Sequence, residues 1–248
     1  VTAAGTIYYT PYVGNKVGLF DGTNWRVYTF TEVSLALTLT ADNNYDVFLY
    51  DNAGTITLEL SAAWTNNTTR ADALALQNGV FVKSGTATRR WVGTIRASGT
   101  NTAEDSRAKR FVWNAYNAVL RPVSVIEGTN TWTYTTDTWR QTNASTANQI
   151  AIVAGRIGSW IHLQTLVSAA NSISVRVYQA IGEDSTTVPF TSNLHGRLSL
   201  VATADMLIAS YLNTDVPLGY HFYAWLERSE AVGTTTWAGD DGAADIKQ

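Results

Sequence analysis

Cysteine is absent from the 248 residues, so neither disulfides nor thiolate metal sites can hold the fold, and its robustness must come from packing or association. Charge is scarce as well: Asp, Glu, Lys and Arg make up 15% of the chain, and Thr, Ser, Asn and Gly fill the polar positions. That composition fits an extracellular or virion surface protein better than a cytosolic enzyme. No apolar run is long enough to span a bilayer, and the opening VTAAGTIYYTPY has no basic segment followed by an apolar one, so it reads as neither signal peptide nor anchor. Only three histidines occur, His162, His195 and His221, and no two of them stand at a metal-binding spacing. No GxSxG elbow is present either. No metal site and no cofactor is expected.

Tryptophan is abundant, with nine residues, and glycine-centred turns recur. Residues 16–20 and 25–30 flank Asp21-Gly22-Thr23-Asn24, and 45–50 and 55–60 flank Asp51-Asn52-Ala53-Gly54. Each reads as a hairpin, because glycine supplies the positive φ that a tight connection needs. A further hairpin joins 80–83 to 88–97 across Ser84-Gly85, with Arg89 and Arg90 directed to opposite faces of its second strand. One short helix is expected over 69–77 (TRADALALQ), rich in alanine and leucine and stopped by Asn78-Gly79.

Residues 104–122 (EDSRAKRFVWNAYNAVLRP) form a seam. Thr102 and Asp105 allow a helix cap there, and Ala108, Phe111, Val112, Ala115 and Val119 fit helical spacing. The weight of aromatic and β-branched residues favours a strand, with Phe111 and Trp113 on one face and Tyr116 on the other. Residues 1–122 carry a net +2 and residues 123–248 a net −5, which together give the −3 of the whole chain. Neither balance suggests a nucleic-acid surface. The expected fold class is all-β: a hairpin-rich antiparallel N-terminal domain, 1–122, then a jelly-roll-like sandwich, 123–248. The second half supplies eight strand segments, at 131–134, 149–154, 160–167, 173–180, 197–202, 206–212, 219–228 and 234–237.

The segments TIYYTPYVGN (6–15), LFDGTNW (19–25), AAWTNNTTRADALALQNGVFVKSG (62–85), VGTIRASGTNTAEDSRAKRFVWNAYNAV (92–119), WTYTTDTWRQTN (132–143) and GYHFYAWLERSEAVGTTTWAGD (219–240) resemble a family of tailed-bacteriophage virion proteins. In that family related modules are stand-alone structural proteins or the ends of head or tail fibres. The resemblance implies a non-catalytic fibre or capsid-decoration component located in the virion. It also implies a homo-oligomer, a trimer by family analogy, contacting other virion proteins and a host cell-surface polysaccharide, with no nucleic acid and no membrane insertion.

Two sets of residues are candidates for these roles. Phe111, Trp113 and Tyr116, bracketed by Arg107 and Arg110, suit a subunit interface with an aromatic centre and a cationic rim. Trp132, Trp139 and Trp237, among threonines and asparagines, suit stacking on a sugar; Trp25, Trp64 and Trp160 share that setting, whereas Trp91, Trp113 and Trp225 read as core or subunit contacts. The alternatives are a polysaccharide depolymerase and a free carbohydrate-binding module. A depolymerase needs two acids facing each other across a glycosidic bond. The adjacent pairs Glu104-Asp105, Glu183-Asp184 and Asp240-Asp241 cannot supply that geometry from one strand face. Asp240, Asp241 and Asp245 with Gly242 lack the spacing of a calcium loop.

Overall fold

The computed structural model of the chain describes residues 3–117, 119–191, 195–199 and 206–239. They fall into two compact units: residues up to 121 with short returns at 152–157 and 217–220, and residues 122–151, 158–216 and 221 onward. The protein is all-β. Among the described residues the one helical element is a three-residue 3-10 turn at Thr142–Ala144.

The strands of the first unit are β1 (Thr6–Tyr9), β2 (Lys16–Phe20), β3 (Trp25–Thr29), β4 (Val33–Ala36), β5 (Asn44–Asn52), β6 (Thr55–Leu60), β7 (Leu74–Gln77), β8 (Val80–Lys83), β9 (Thr86–Gly99), β10 (Thr102–Ala103), β11 (Lys109–Arg110) and β12 (Val112–Asn114). The main sheet runs β6-β5-β9-β8-β7, with β10 and β12 also on β9; β1 pairs with β4, and β2 with β3. Turn chemistry explains the hairpins. The Asp21 carboxylate accepts the backbone N–H groups of Thr23 at 2.8 Å and Asn24 at 2.7 Å, closing β2 onto β3. Asn52 faces Thr55, leaving Ala53 (φ 49°) and Gly54 (φ 94°) as a two-residue turn with both φ positive. Such a turn matches the twist of the strands it joins.

The helix expected over 69–77 is corrected. Gln77 pairs with Val80, and Asn78 (φ 53°) and Gly79 (φ 86°) form the same kind of two-residue turn, so Leu74–Gln77 is β7 of a hairpin. Asn-Gly is a hairpin signal as well as a helix stop, and two turns of helix could not offset their own nucleation cost, whereas β7 gains a ladder of pairs to β8. The seam at 104–122 is a strand only in part, as β11 and β12. The Asn114 side chain accepts the N–H groups of Tyr116 at 2.9 Å and Asn117 at 3.0 Å, folding the backbone into a turn that ends β12.

Strand β5 is buried on both faces. On one side Tyr45, Val47 and Leu49 join Val17, Leu19, Leu37, Leu39, Leu58 and Ile95 in the apolar core. On the other lies Asp46, with no exposed surface. One of its carboxylate oxygens accepts from Trp91 Nε1 at 2.9 Å and Thr94 Oγ1 at 2.6 Å, the other from Trp64 Nε1 at 3.0 Å and Arg70 Nε at 2.8 Å. The Arg70 guanidinium lies 4.6 Å from the Trp64 ring centre and 5.4 Å from that of Trp91, and donates to the Gly155 carbonyl. Residue 155 must be glycine, since a Cβ there would sit 2.6 Å from both Thr94 Oγ1 and the Trp113 ring. Arg89 and Arg90 do face opposite ways, and both have partners within the unit: Arg89 bonds Glu59 at 2.8 Å, and Arg90 bonds the Gly18 carbonyl at 2.7 Å.

The second unit contains β13 (Thr131–Thr133), β14 (Arg140–Gln141), β15 (Gln149–Ala154), β16 (Ser159–Asn171), β17 (Arg176–Glu183), β18 (Gly196–Ser199), β19 (Met206–Val216), β20 (Gly219–Ser229) and β21 (Thr235–Ala238). One sheet runs β13-β21-β16-β19; the other includes β15-β20-β17-β18, with β14 also on β20. Leaving β14 aside, the pairing is nested: β13 with β21, β15 with β20, β16 with β19, β17 with β18. This rolled-up hairpin is a jelly roll. Trp132, Val167, Ala169, Val177, Ile208, Trp225 and Trp237 fill the space between the sheets.

Candidate functional site

The residues expected at a subunit interface are dispersed. Phe111 is 4% exposed, edge-on to Tyr220 with ring centres 5.9 Å apart, and so belongs to the core of its unit; its expected interface role is corrected. Trp113 is half-buried and stacks on Trp91 at 5.2 Å. Tyr116 is 49% exposed, but the Arg90 guanidinium covers its ring at 4.4 Å and Arg90 Nε donates to its hydroxyl at 3.1 Å. Arg107 is exposed, and Arg110 is half-buried 3.6 Å from Asp105. No aromatic centre with a cationic rim is formed by these five residues; they are divided between core and surface.

Two of the three tryptophans assigned to sugar stacking are also corrected. Trp132 and Trp237 lie directly opposite each other on β13 and β21, 8% and 0% exposed, with their faces inside the sandwich. Trp132 Nε1 donates at 2.8 Å to Glu227, a carboxylate with no exposed surface that also accepts from Arg140 Nε at 2.8 Å and the Asn143 N–H at 3.1 Å. Burial pushes the Glu227 carboxyl above its ordinary range, against the pull of Arg140. Trp237 Nε1 donates to the Tyr134 carbonyl at 3.1 Å. Trp139 is half-buried on the outer side of the other sheet, edge-on to Tyr178 at 6.3 Å and to His195 at 5.8 Å, with Arg228 over Tyr178.

The exposed tryptophan of this unit is Trp160, at 67%. It stands on the outer face of β16 in a column with His162 and Gln164, both exposed, while Ile161, Leu163, Thr165 and Val167 turn inward. The register with β19 sets Asp215 opposite Trp160, Asn213 opposite His162 and Tyr211 opposite Gln164. Directly opposed side chains in an antiparallel pair stand about 5 Å apart, so these six make one two-strand platform. Gln164 Nε2 donates to the Tyr211 hydroxyl at 3.3 Å, and Tyr211 is 42% exposed. Trp160 and Tyr211 are four strand steps apart, roughly 13 Å. Beside the platform a cavity of about 230 Å³ opens between Val123–Val125 and the residues 162–166 of β16, floored by Ile150, Ile181, Tyr223 and Trp225. His162 and Gln164 line both the cavity and the platform.

Such a surface has the chemistry to hold a sugar. An indole face packs against the apolar face of a pyranose, while imidazole, amides and a carboxylate supply donors and acceptors for hydroxyls on either side. Trp160 was legible as a turn-flanking aromatic; Tyr211, Asn213 and Asp215 were not, because nothing local in 206–216 tells which strand faces it.

The carboxylates weighed for catalysis are occupied. Glu104 pairs with Lys109 at 3.2 Å, and Asp105 with Arg110 and Arg121. Glu183 accepts from the Tyr223 hydroxyl at 2.8 Å, and burial followed by that carboxylate pushes the Tyr223 phenol up. Asp184 accepts from His221 Nδ1 at 2.7 Å and the Phe222 N–H at 3.0 Å; burial would raise its pKa, but these two donors hold it below the ordinary value. Among the described residues no three His, Asp or Glu side chains group as metal ligands. Asp240, Asp241, Gly242 and Asp245 lie outside the described residues. The chain matches no model of a known protein family and no characterised protein.

Proposed function

We propose that this chain is a non-catalytic virion structural protein, a fibre or capsid-decoration component, whose C-terminal jelly roll binds a bacterial cell-surface polysaccharide through the platform of Trp160, His162, Gln164, Tyr211, Asn213 and Asp215. The observation that carries the binding role is Trp160, two-thirds exposed on a face it shares with the hydrogen-bonding side chains of His162, Gln164, Tyr211, Asn213 and Asp215. An exposed aromatic alone is ordinary on a protein surface; what favours a ligand here is the set of hydrogen-bonding side chains on the same face. Low charge, the lack of cysteine and the jelly roll, an architecture shared by viral capsid and lectin domains, support the structural role. The N-terminal unit, with its exposed Tyr8, Tyr12, Val13 and Val27, serves assembly in this reading.

The test is calorimetric titration with purified capsular and lipopolysaccharide glycans of candidate hosts. Trp160→Ala is expected to weaken binding at least tenfold, about 1.4 kcal/mol, with an unchanged circular dichroism spectrum. Binding by the wild type that survives Trp160→Ala refutes the platform. Release of new reducing ends on incubation makes the protein a depolymerase instead.

A further inference from the structure

One sheet of the jelly roll, β13-β21-β16-β19, has a gap in it. Strand β16 pairs with β19 from Ser159↔Val216 to Ala169↔Met206 without a shift of register, but with β21 only from Ser168 to Asn171. On the β21 side the stretch 159–167 therefore has no partner strand among the described residues. The Ser172 N–H donates to the Thr234 carbonyl at 3.1 Å, so even-numbered residues of β16 turn their backbone groups toward β21. The unbroken register carries that phase back to Leu166, Gln164 and His162. Their backbone N–H and C=O groups face the gap, and among the described residues nothing bonds them. Across the gap lie Val123, Ser124 and Val125, which make no hydrogen bond to β16. Between the two opens the cavity of about 230 Å³ floored by Ile150, Ile181 and Trp225. The outer side of β19 offers no such opening: the Gly196 backbone of β18 packs against the Ala209 carbonyl so closely that a Cβ would not fit.

We infer that this gap accepts one extended segment of another protein, which adds to the edge of β16 as a strand and places a large apolar side chain in the cavity. Backbone donors and acceptors repeating along a strand edge are matched by those of another extended peptide, and pockets beside the edge select its side chains. The cavity calls for an apolar one. A void of about 150 Å³ lined by aliphatic and aromatic groups takes up benzene, so about 230 Å³ has room for leucine or phenylalanine. Residues of an added strand opposite Leu163 and Thr165 point to the inner side, over Ile150, Ile181 and Trp225. The chain's own sequence does not supply such a residue after β21. Counted in the strand period from the buried Trp237, the inner positions fall on Gly239, Asp241, Ala243 and Asp245. A second copy suits no better, because its strands lie in sheets, and Val123–Val125 line the far side of the gap where a sheet would have to pass. The inference does not rest on the platform binding sugar: His162 and Gln164 give the platform their side chains and the gap their backbone.

Amide hydrogen exchange on the full chain, with and without a synthetic peptide, tests this. The probe alternates threonine and leucine over seven residues between terminal lysines, so that all its leucines share one face. With the leucines turned to the cavity, the threonines stand opposite His162, Gln164 and Leu166, and it is their backbone groups that meet β16. The peptide is expected to slow exchange at the amides of His162, Gln164 and Leu166, which exchange freely without it. N-methylation of the threonines removes the donors of the ladder and is expected to weaken binding at least tenfold. Alanine in place of every leucine leaves the ladder and empties the cavity, and is expected to weaken binding at least tenfold as well. Slow exchange at these three amides in the free protein overturns the inference, because the edge is then already covered. No added protection at millimolar peptide overturns it too, as does equal binding by the N-methylated or the alanine peptide. All of these comparisons use the unaltered protein, so none depends on a variant that folds.

Discussion

Replacing Asp46 by Asn removes one charge and almost no volume, and tests how the first unit is held together. Four donors converge on the carboxylate, two on each oxygen, and the side chain has no exposed surface. An amide in the same place keeps only one acceptor oxygen. If its NH₂ takes the position near Trp64 and Arg70, it faces two donors that cannot turn round. In the other orientation the Thr94 hydroxyl can reverse and accept, but Trp91 Nε1 is opposed. Either way Arg70, only 13% exposed, loses its counter-charge. Breaking one side of a buried pair costs roughly 3–5 kcal/mol. The indoles of Trp64 and Trp91 beside the guanidinium still favour the cation, so the low end, about 3 kcal/mol, is expected. Urea unfolding followed by tryptophan fluorescence, with amide exchange assigning the transition to residues 3–117, measures it. In a cycle with Arg70→Met the double variant is expected to lose at least about 1 kcal/mol less than the two single losses added together. A loss below about 1 kcal/mol for Asp46→Asn would mean that the pair is solvated in solution and does not organise β5.

Two further outcomes follow from turn chemistry. The Asn24 N–H, the Arg26 side chain and the Thr23 N–H hold the Asp21 carboxyl down to about 2 from its ordinary 3.8. A depressed carboxyl supports the folded turn in its ionised form, so that support is complete above 3.8 and is lost as pH falls through about 2; a carboxyl-carbon NMR titration with its midpoint at 3.8 would contradict it. Gly79→Ala tests the two-residue turn at 78–79. With φ at 86° the alanine is strained and should destabilise the protein by about 1 kcal/mol in a thermal or urea melt; an unchanged melt would refute that turn.

What the sequence makes legible is what neighbours decide. Asp21 through Asn24, Ala53-Gly54 and Ser84-Gly85 mark turns whose two arms are adjacent in the chain, and those hairpins form where expected. Strand 149–154 has the expected limits, because its run QIAIVA is buried on both faces and bounded by polar residues. Ala-Leu-Ala-Leu misleads because the same letters satisfy helix propensity and strand alternation, and only the pairing of Leu74–Gln77 with Val80–Lys83 chooses between them. The tryptophans are harder still. Trp132, Trp160 and Trp237 all sit beside small polar residues; two are core and one is open, because inside and outside are assigned by which strand lies across the sheet, and that strand is far away in sequence. Phe111 belongs with these, its place fixed by Tyr220 rather than by the alternation around it.

The nested pairing of the jelly roll also sets a schedule for synthesis. Its innermost pair, β17 with β18, is the first that can form as the chain emerges, and each wider pair waits for residues made later. The last to close is β13 with β21, whose Trp132 and Trp237 are separated by more than a hundred positions. Until β21 leaves the ribosome, Trp132 has no indole opposite it, and β13 and β16 both lack the strand that belongs between them. A chain halted before Thr235 therefore holds seven of the eight sandwich strands and a slot in one sheet that fits β21 of any neighbouring nascent copy. Crowded polysomes are then the setting in which this protein is most prone to exchange strands with itself.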